Sequence, residues 1–461
     1  MLNSIILEIC GEFISEVAGY FGDGQPKKLT NIETELTRKS NEFLLKMTKA
    51  YFEWLDKAMA QDKGRLKRGL VIERRDDERT IYTQLGILKF KRTYYHNKKK
   101  KEYVYLLDQA VGLEGYSRVS TTTAVELINH ASQSSYGESS KHVCNGEISR
   151  QTVMQQVRRL NRLETEPVDK KRIVKVLHLE ADEDHVPLQN GSNTMVPLIS
   201  IHEGVERNGK RGRCKNIHHI SSHGIKTEDL WRTAAEWIYN TYETDSIERI
   251  YLHGDGASWI KKGLEELPNV RMVLDRYHLN KAVMEATSSH PEYRGKIFNA
   301  LRNCDQKAFK DIVKTWLDET ADTKKRTKIR QFKTYILNNW DGIQVYAEEN
   351  CTGSCTEGHV SHVLSARLSS RPMGWSSPGL KAMAELRAFV CNGGKLEAAH
   401  ISRKNECGQG RYTPPERVLK TAAQQFEGTT IESRGNIPIL RKGKVIPSFG
   451  TLTLMKNGSN L

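Results

Sequence analysis

Two aspartates two residues apart close a strongly apolar, β-branched run, Val174 to Val186, which reads VKVLHLEADEDHV. Side chains alternate faces along a strand, so Asp182 and Asp184 share one face and Glu183 takes the other. Carboxylates this close repel and raise each other's pKa, an arrangement that calls for a cation, and hard divalent ions such as Mg²⁺ prefer oxygen ligands. The competing reading is a solvated acidic turn after a core strand, because Asp is a common turn residue.

Further acids follow downstream. The run IERIYLHGDGASWI stops at Gly254 and Asp255, so a second strand end carries a carboxylate, and VRMVLDRYHLNKAV presents Asp275 and His278 at the end of a third. The candidate for a further carboxylate is Glu357, in CTGSCTEGHVSHVLSARLSSRP; Ser354 and Glu357 equally match the S-x-x-E capping box, in which the glutamate only closes a helix start. Glu348, Glu349 and Glu385 are the other carboxylates within reach. Arg367 and Arg371 would point to one side of a continuing helix, as phosphate contacts or as an ion-paired face. Cys351, Cys355, His359 and His362 have the look of a zinc cluster, but on one continuous helix they form a straight stripe that cannot wrap a tetrahedral ion. Cys214, His218, His219 and His223 read as the surface of a hairpin.

The elements that must position these acids have a definite order. The strand at 174–186 is followed by MVPLISIHEGVE, a basic turn RNGKRGR and a probable strand from Asn216 to Ser221, which suggests an antiparallel meander. A helix, EDLWRTAAEWIYNTY, leads to the strand that ends at Asp255; a fifth strand ends near Asp275, and the pattern is then helical to about Asn350. This is the order of a ribonuclease H-like α/β fold, in which the first and fourth strands lie side by side and would bring Asp182 and Asp255 together. Such a pair can hold two metal ions roughly 3.5 to 4 Å apart, one at the attacking and one at the leaving oxygen of a phosphoryl transfer.

Upstream, residues 1–75 read as a charged helical arm in which Phe43, Leu44, Met47, Tyr51, Leu55 and Met59 fall at helical spacing. Residues 76–120 form a basic β-hairpin region whose tip, with Lys98, Lys99 and Lys100, could meet phosphates. Residues 121–165 outline a helix-turn-helix: Ser149 would cap its last helix, Val153 and Val157 would face the core, and Arg150, Gln151, Gln155, Arg158 and Arg159 would be free to meet DNA. The first part of the core then occupies 170–280, a helical insertion 281–350 and the last part of the core 351–415, with a polar tail over 416–461.

Composition agrees with a polyanionic partner. Of 461 residues, 71 are Lys or Arg and 56 Asp or Glu, a formal net charge of +15. No run of about 18 apolar residues exists, mean hydropathy is −0.60, and MLNSIILEIC lacks the basic start of a signal peptide. Eight scattered cysteines suit reduced thiols, so the expectation is a cytoplasmic, nucleoid-associated protein without a membrane partner.

Together HLEADEDHVPLQ, YLHGDGASWIKKG, VLDRYHLNKA and SARLSSRPMGWS resemble the ISLre-type insertion-sequence transposases, a bacterial DDE group, over the stretch from about Arg79 to Gly393. The resemblance implies a ribonuclease H-like core interrupted by a helical insertion. It implies first and second Asp roles for Asp182, with Asp184 as its rival, and Asp255, the Glu role for Glu357, and a supporting role for Asp275 and His278. It further implies two Mg²⁺ or Mn²⁺ ions, terminal inverted repeats and target DNA as partners, and homo-oligomers on DNA. A catalytically silent DNA-binding descendant of a transposase, or a nuclease of the junction-cutting kind, would share most of these features.

Overall fold

The computed structural model describes residues 2–161, 163, 171–208, 211–347, 351, 354–401 and 412–419, and the chain packs as two units, Met1–Ala124 with Arg403–Leu461, and Val125–Ser402. In the first unit, helices Leu2–Phe21 and Leu29–Gln61 precede a three-stranded antiparallel sheet of β1 (Leu70–Thr83), β2 (Gly86–Asn97) and β3 (Glu102–Tyr105). The apolar stripe on the long helix is only partly used: Leu55 and Met59 are buried against Leu88, Phe90 and Tyr95 of the sheet, whereas Leu44 and Tyr51 remain exposed. Strand β1 starts at Leu70, six residues ahead of the expected boundary: its ERRDDE stretch has no apolar alternation, and it joins β2 through Arg74, Asp77 and Glu78 across two shifts of register, with Asp76 at φ 59°.

The chain enters the second unit within helix Thr121–Ala131. Helix Tyr136–Cys144 ends at Asn145 and Gly146, both in the left-handed region (φ 50° and 81°), and helix Arg150–Val157 begins at Ser149, whose hydroxyl accepts the Thr152 N–H. Val153 and Val157 are buried, as their spacing predicts.

The second unit is built on β4 (Val176–Pro187), β5 (Asn193–His202), a small two-stranded ribbon of β6 (Val205–Asn208) and β7 (Arg211–Cys214), then β8 (His218–Ser221), β9 (Arg249–Gly254) and β10 (Val270–Leu274). The main sheet runs β10-β9-β4-β5-β8; β4, β5 and β8 are antiparallel neighbours, while β9 lies parallel to β4 and β10 parallel to β9. The three-strand meander and the adjacency of the first and fourth strands therefore match the order read from the sequence.

One face of this sheet is apolar. Leu177, Leu179 and Ala181 of β4, Ile199 and Ile201 of β5, and Ile250 and Leu252 of β9 pack on Leu230, Trp231, Ala234 and Ile238 of helix Thr227–Thr241. The other face is polar in its centre: His178, Glu180, Asp182 and Asp184 of β4 are all buried, beside His202 and Ser200 of β5 and His253 of β9. Cys355 and His359, at helix Thr356–Val360, meet Glu180 on this face, Ser369 meets Asp184, and helix Ser377–Cys391 packs on β8. After β10, helices Arg276–Ala286, Glu292–Arg302, Gln306–Glu319 and Thr323–Asn338 enclose a core of their own, with Ile297, Phe309, Trp316, Phe332 and Ile336 buried together.

Candidate functional site

Asp182 sits in mid-β4 opposite Leu198 and is 9% exposed. Single ligand atoms of Asp182, His278 and Glu357 lie within 4.8 Å of one another, the set of this kind found among the described residues. Burial pushes the Asp182 carboxyl up to about 6, and the charges of Glu183 and Glu357 push the same way, against a hydrogen bond from the Glu183 amide and the positive field of His278. His278 is raised as well, by its acidic neighbours. Asp275 beside it, with added fields from Asp182 and Asp255, holds the imidazole above its usual range despite burial. Its Nε2 lies 3.7 Å from Glu357 Oε1.

A second buried carboxylate fixes this geometry. Asp275, 1% exposed, caps helix Arg276–Ala286: its Oδ1 accepts the N–H of Tyr277 at 2.8 Å and of His278 at 3.2 Å. Its Oδ2 accepts the hydroxyls of Ser354 and Thr356. One side chain thus ties the helix that carries His278 to the start of the helix that carries Glu357. Ser354 is spent on Asp275 and no side chain caps helix Thr356–Val360, so the capping-box reading of Glu357 is replaced: its half-exposed carboxylate points to His278.

The remaining acids divide. Asp255 follows β9 directly; its Oδ1 accepts the Ala257 N–H at 2.8 Å, its carbonyl accepts the Tyr335 hydroxyl at 3.0 Å, and its charge reaches His278 without joining the three-residue set. Gly256 at φ 89° lets the turn pass Asn339, whose Oδ1 lies where a Cβ would clash. Asp184 shares the face of Asp182 but is 8% exposed and held by the Ser369 hydroxyl at 2.9 Å, outside the set. Glu385 accepts the Ser222 hydroxyl, and Glu348 and Glu349 lie outside the described residues. Buried Asp182 and half-exposed Glu357, with the His278 imidazole beside them, offer two carboxylates that fit a divalent cation of the Mg²⁺ or Mn²⁺ kind.

Sequence reasoning missed Glu180. It is 1% exposed, and although burial would raise its pKa, His202 (Nε2 at 3.3 Å) and His359 (Nδ1 at 2.7 Å) hold it well below the usual carboxylate range. Its Oε1 also accepts the Cys355 N–H at 2.7 Å, so it grips the Glu357 helix at two points. The signal was available: His178, Glu180, Asp182 and Asp184 are consecutive members of one period-two stripe, and as far as Ala181 the alternate positions of the strand are apolar. Glu180→Ala leaves a buried imidazole and an amide without their acceptor and is expected to cost about 3 kcal/mol in chemical denaturation. A cost below about 1 kcal/mol would refute this anchoring role.

The cysteine and histidine sets are also redrawn. His359 turns to Glu180 and to Cys214 Sγ (3.7 Å), His362 is exposed, and Cys351 packs near Tyr251, Val273 and Val345, so the four residues of the zinc reading do not converge. His219 and His223 are buried rather than on a hairpin surface: His219 Nδ1 meets Ser200 Oγ at 2.9 Å, because helix Ser377–Cys391 packs on β8 and Asn392 pairs with the His219 backbone.

Among the residues expected to meet DNA, Arg150, Gln151, Gln155, Arg158, Lys98, Lys99, Lys100 and Arg371 are exposed and Arg159 is half-buried. Arg367 is corrected. It is 5% exposed, its Nε donates to the Ala131 carbonyl at 2.8 Å, and its guanidinium lies over the rings of Tyr136 and Trp375. The expected shared face with Arg371 fails because a wide π turn at Ser361–Ser365 interrupts the helix, which stops at Leu368.

Residues 26–405 match the model of an uncharacterised protein family, UPF0236. The chain belongs to that family. It is 40% identical over 99% of its length to several UPF0236 proteins of Caldanaerobacter subterraneus subsp. tengcongensis, covering 98% of two of them; one of these carries four locus names and the other eleven. A UPF0236 protein in the vanSb 3′ region of Streptococcus gallolyticus is 24% identical over 80% of this chain and 84% of its own. A solved chain in a simian T-cell lymphotropic virus intasome complex with PP2A regulatory subunit B56 gamma aligns with 55% of this chain and 78% of its own, at 10% identity and a TM-score of 0.15, which carries no argument. Among the described residues no helix of this family member is long and apolar enough to cross a membrane.

Proposed function

We propose that this UPF0236 protein is a DDE-type transposase of a bacterial insertion sequence, with a ribonuclease H-like core. The observation that carries the reading is the convergence of Glu357 and His278, from two helices, on Asp182 of the central strand of a β10-β9-β4-β5-β8 sheet, with Asp255 at the end of the neighbouring parallel strand. Relatives that recur at four and eleven loci of one genome support it, as repeated copies are what a mobile element leaves.

The catalytic carboxylates in this reading are Asp182, Asp255 and Glu357. Bound Mg²⁺ or Mn²⁺ would activate the attacking oxygen and stabilise the leaving one. Asp182 and Glu357 would hold the ion, Asp275 orients His278 and the Glu357 helix, and His278 Nε2 can keep a proton beside Glu357. In the first reaction water attacks a phosphodiester and leaves a free 3′-hydroxyl; in the second that hydroxyl attacks target DNA, displacing a 3′-oxygen there. Exposed Arg150, Gln151 and Gln155 on the capped helix after Ser149 would read the terminal inverted repeats, while Lys98 to Lys100 and Arg371 would meet phosphates. Joining two ends calls for an oligomer on DNA.

The test is incubation of the full chain with Mg²⁺ and DNA carrying the gene's own genomic flanks. Expected are nicks at the element ends and joining of the freed 3′-ends to a second duplex. Cleavage confined to branched DNA, independent of those ends, would replace the transposase reading with a junction nuclease, and binding without any cleavage would leave a DNA-binding protein.

A further inference from the structure

The outward face of the three-stranded sheet in the first unit carries a ladder of aromatic rings. In the register of β2 and β3, Tyr95 and Val104 pair and face the core, 0% and 7% exposed, so Tyr94, His96, Tyr103 and Tyr105 share the opposite face. Ring centroids step from His96 to Tyr103 at 4.6 Å, from Tyr103 to Tyr94 at 5.4 Å and from Tyr94 to Tyr105 at 4.6 Å. Guanidinium groups flank the row: Arg74 lies 4.7 Å from the Tyr94 ring and Arg92 3.4 Å from that of Tyr105.

This face borders a cavity of about 1000 Å³ whose lining includes Arg74, Tyr94, Tyr103, Tyr116 and Arg118. Tyr103 is 53% and Tyr116 102% exposed, and Tyr116 is held at φ 61°, a conformation a bulky residue rarely adopts without cause. Arg79 and Arg92 share the single carboxylate of Asp108 and Arg74 pairs with Asp77, while Arg118 and the Lys98–Lys101 turn between β2 and β3 supply exposed positive charge at the edges.

We infer that this face is a stacking platform for unpaired bases of single-stranded DNA. Exposed rings at a sheet surface beside basic side chains suit nucleobases that are free to leave their own stack, whereas a duplex offers only phosphates and groove edges. The lysine turn tracks the backbone, and Tyr103 and Tyr116 take the bases. The inference rests on the reading of this protein as one that binds DNA, and it is independent of the catalytic acids.

Fluorescence anisotropy of the full chain in EDTA, with an oligothymidylate of about 16 nucleotides and with a duplex of similar length, tests it. Tyr103→Ala and Tyr116→Ala are each expected to weaken oligothymidylate binding roughly 5- to 100-fold while leaving duplex binding within about twofold. Tyr103→Phe, which keeps the ring and loses the hydroxyl, should bind as the intact chain does. Equal losses for single strand and duplex, or no loss for either alanine variant, would overturn the platform even if end cleavage is intact. Conversely, absent cleavage with tyrosine-dependent single-strand binding would retire the transposase reading alone.

Discussion

Asp182→Ala, Asp255→Ala and Glu357→Ala are each expected to lower Mg²⁺-dependent cleavage of end-bearing DNA roughly a hundredfold or more, with binding to the same DNA retained. Asp184→Ala, which removes a carboxylate already committed to Ser369, is expected to fall far less. The contrast matters because Asp182 and Asp184 share one face of β4, and only Asp182 lies with His278 and Glu357. Full activity in Glu357→Ala would move the third acid elsewhere. Loss in Asp184→Ala equal to that in Asp182→Ala would show that both carboxylates serve the centre. Full activity in Asp182→Ala would remove the metal centre as the origin of cleavage.

Asp182→Asn is expected to do the opposite to stability: without divalent metal it should raise the melting temperature at neutral and alkaline pH. Burial and its acidic neighbours lift Asp182 from 3.8 to about 6, so the folded chain prefers this group protonated. A folded-state value above the unfolded one means that the stabilisation is in place below about pH 4 and is lost as pH rises through about 6. The ionised form then weighs against folding by at most about 3 kcal/mol, which the neutral amide relieves. Mg²⁺ should reverse the order. The intact chain gains stability from the ion at pH 8 and little at pH 5, where Asp182 is protonated, and Asp182→Asn gains little at either. Thermal melts at the two pH values, with and without Mg²⁺, decide this; an Asp182→Asn variant less stable than the intact chain at pH 8 in EDTA would contradict the strain at Asp182. A protein that keeps such a group has a reason other than stability to do so.

Strand facing, and the succession of strands apart from the β6–β7 ribbon, where RNGKRGR reads as a turn, were carried by the sequence itself. Alternation along VLHLEADED placed Asp182 and Asp184 on one side and Leu177, Leu179 and Ala181 on the other, and the same period put His178 and Glu180 in the acidic stripe. Ser149 as a cap, and Val153 and Val157 as buried positions, followed from local hydrogen-bonding and helical periodicity. These are short-range properties, fixed by neighbours within a few residues.

What local rules left open was settled by tertiary packing. Whether Ser354 closes its own helix or reaches Asp275 depends on a partner 79 residues away, and that contact turns Glu357 from a cap into a member of the site. In the sequence Arg367 reads as a phosphate contact or an ion-paired face, because no local signal reports the Tyr136 and Trp375 rings that enclose it. The choice between Asp182 and Asp184 could not be made from spacing, since the pleat treats both alike. It is the helix bearing His278, anchored by Asp275, and the helix bearing Glu357, gripped by Glu180, that single out Asp182, because side chains far apart in the chain converge only once the sheet and its covering helices have packed.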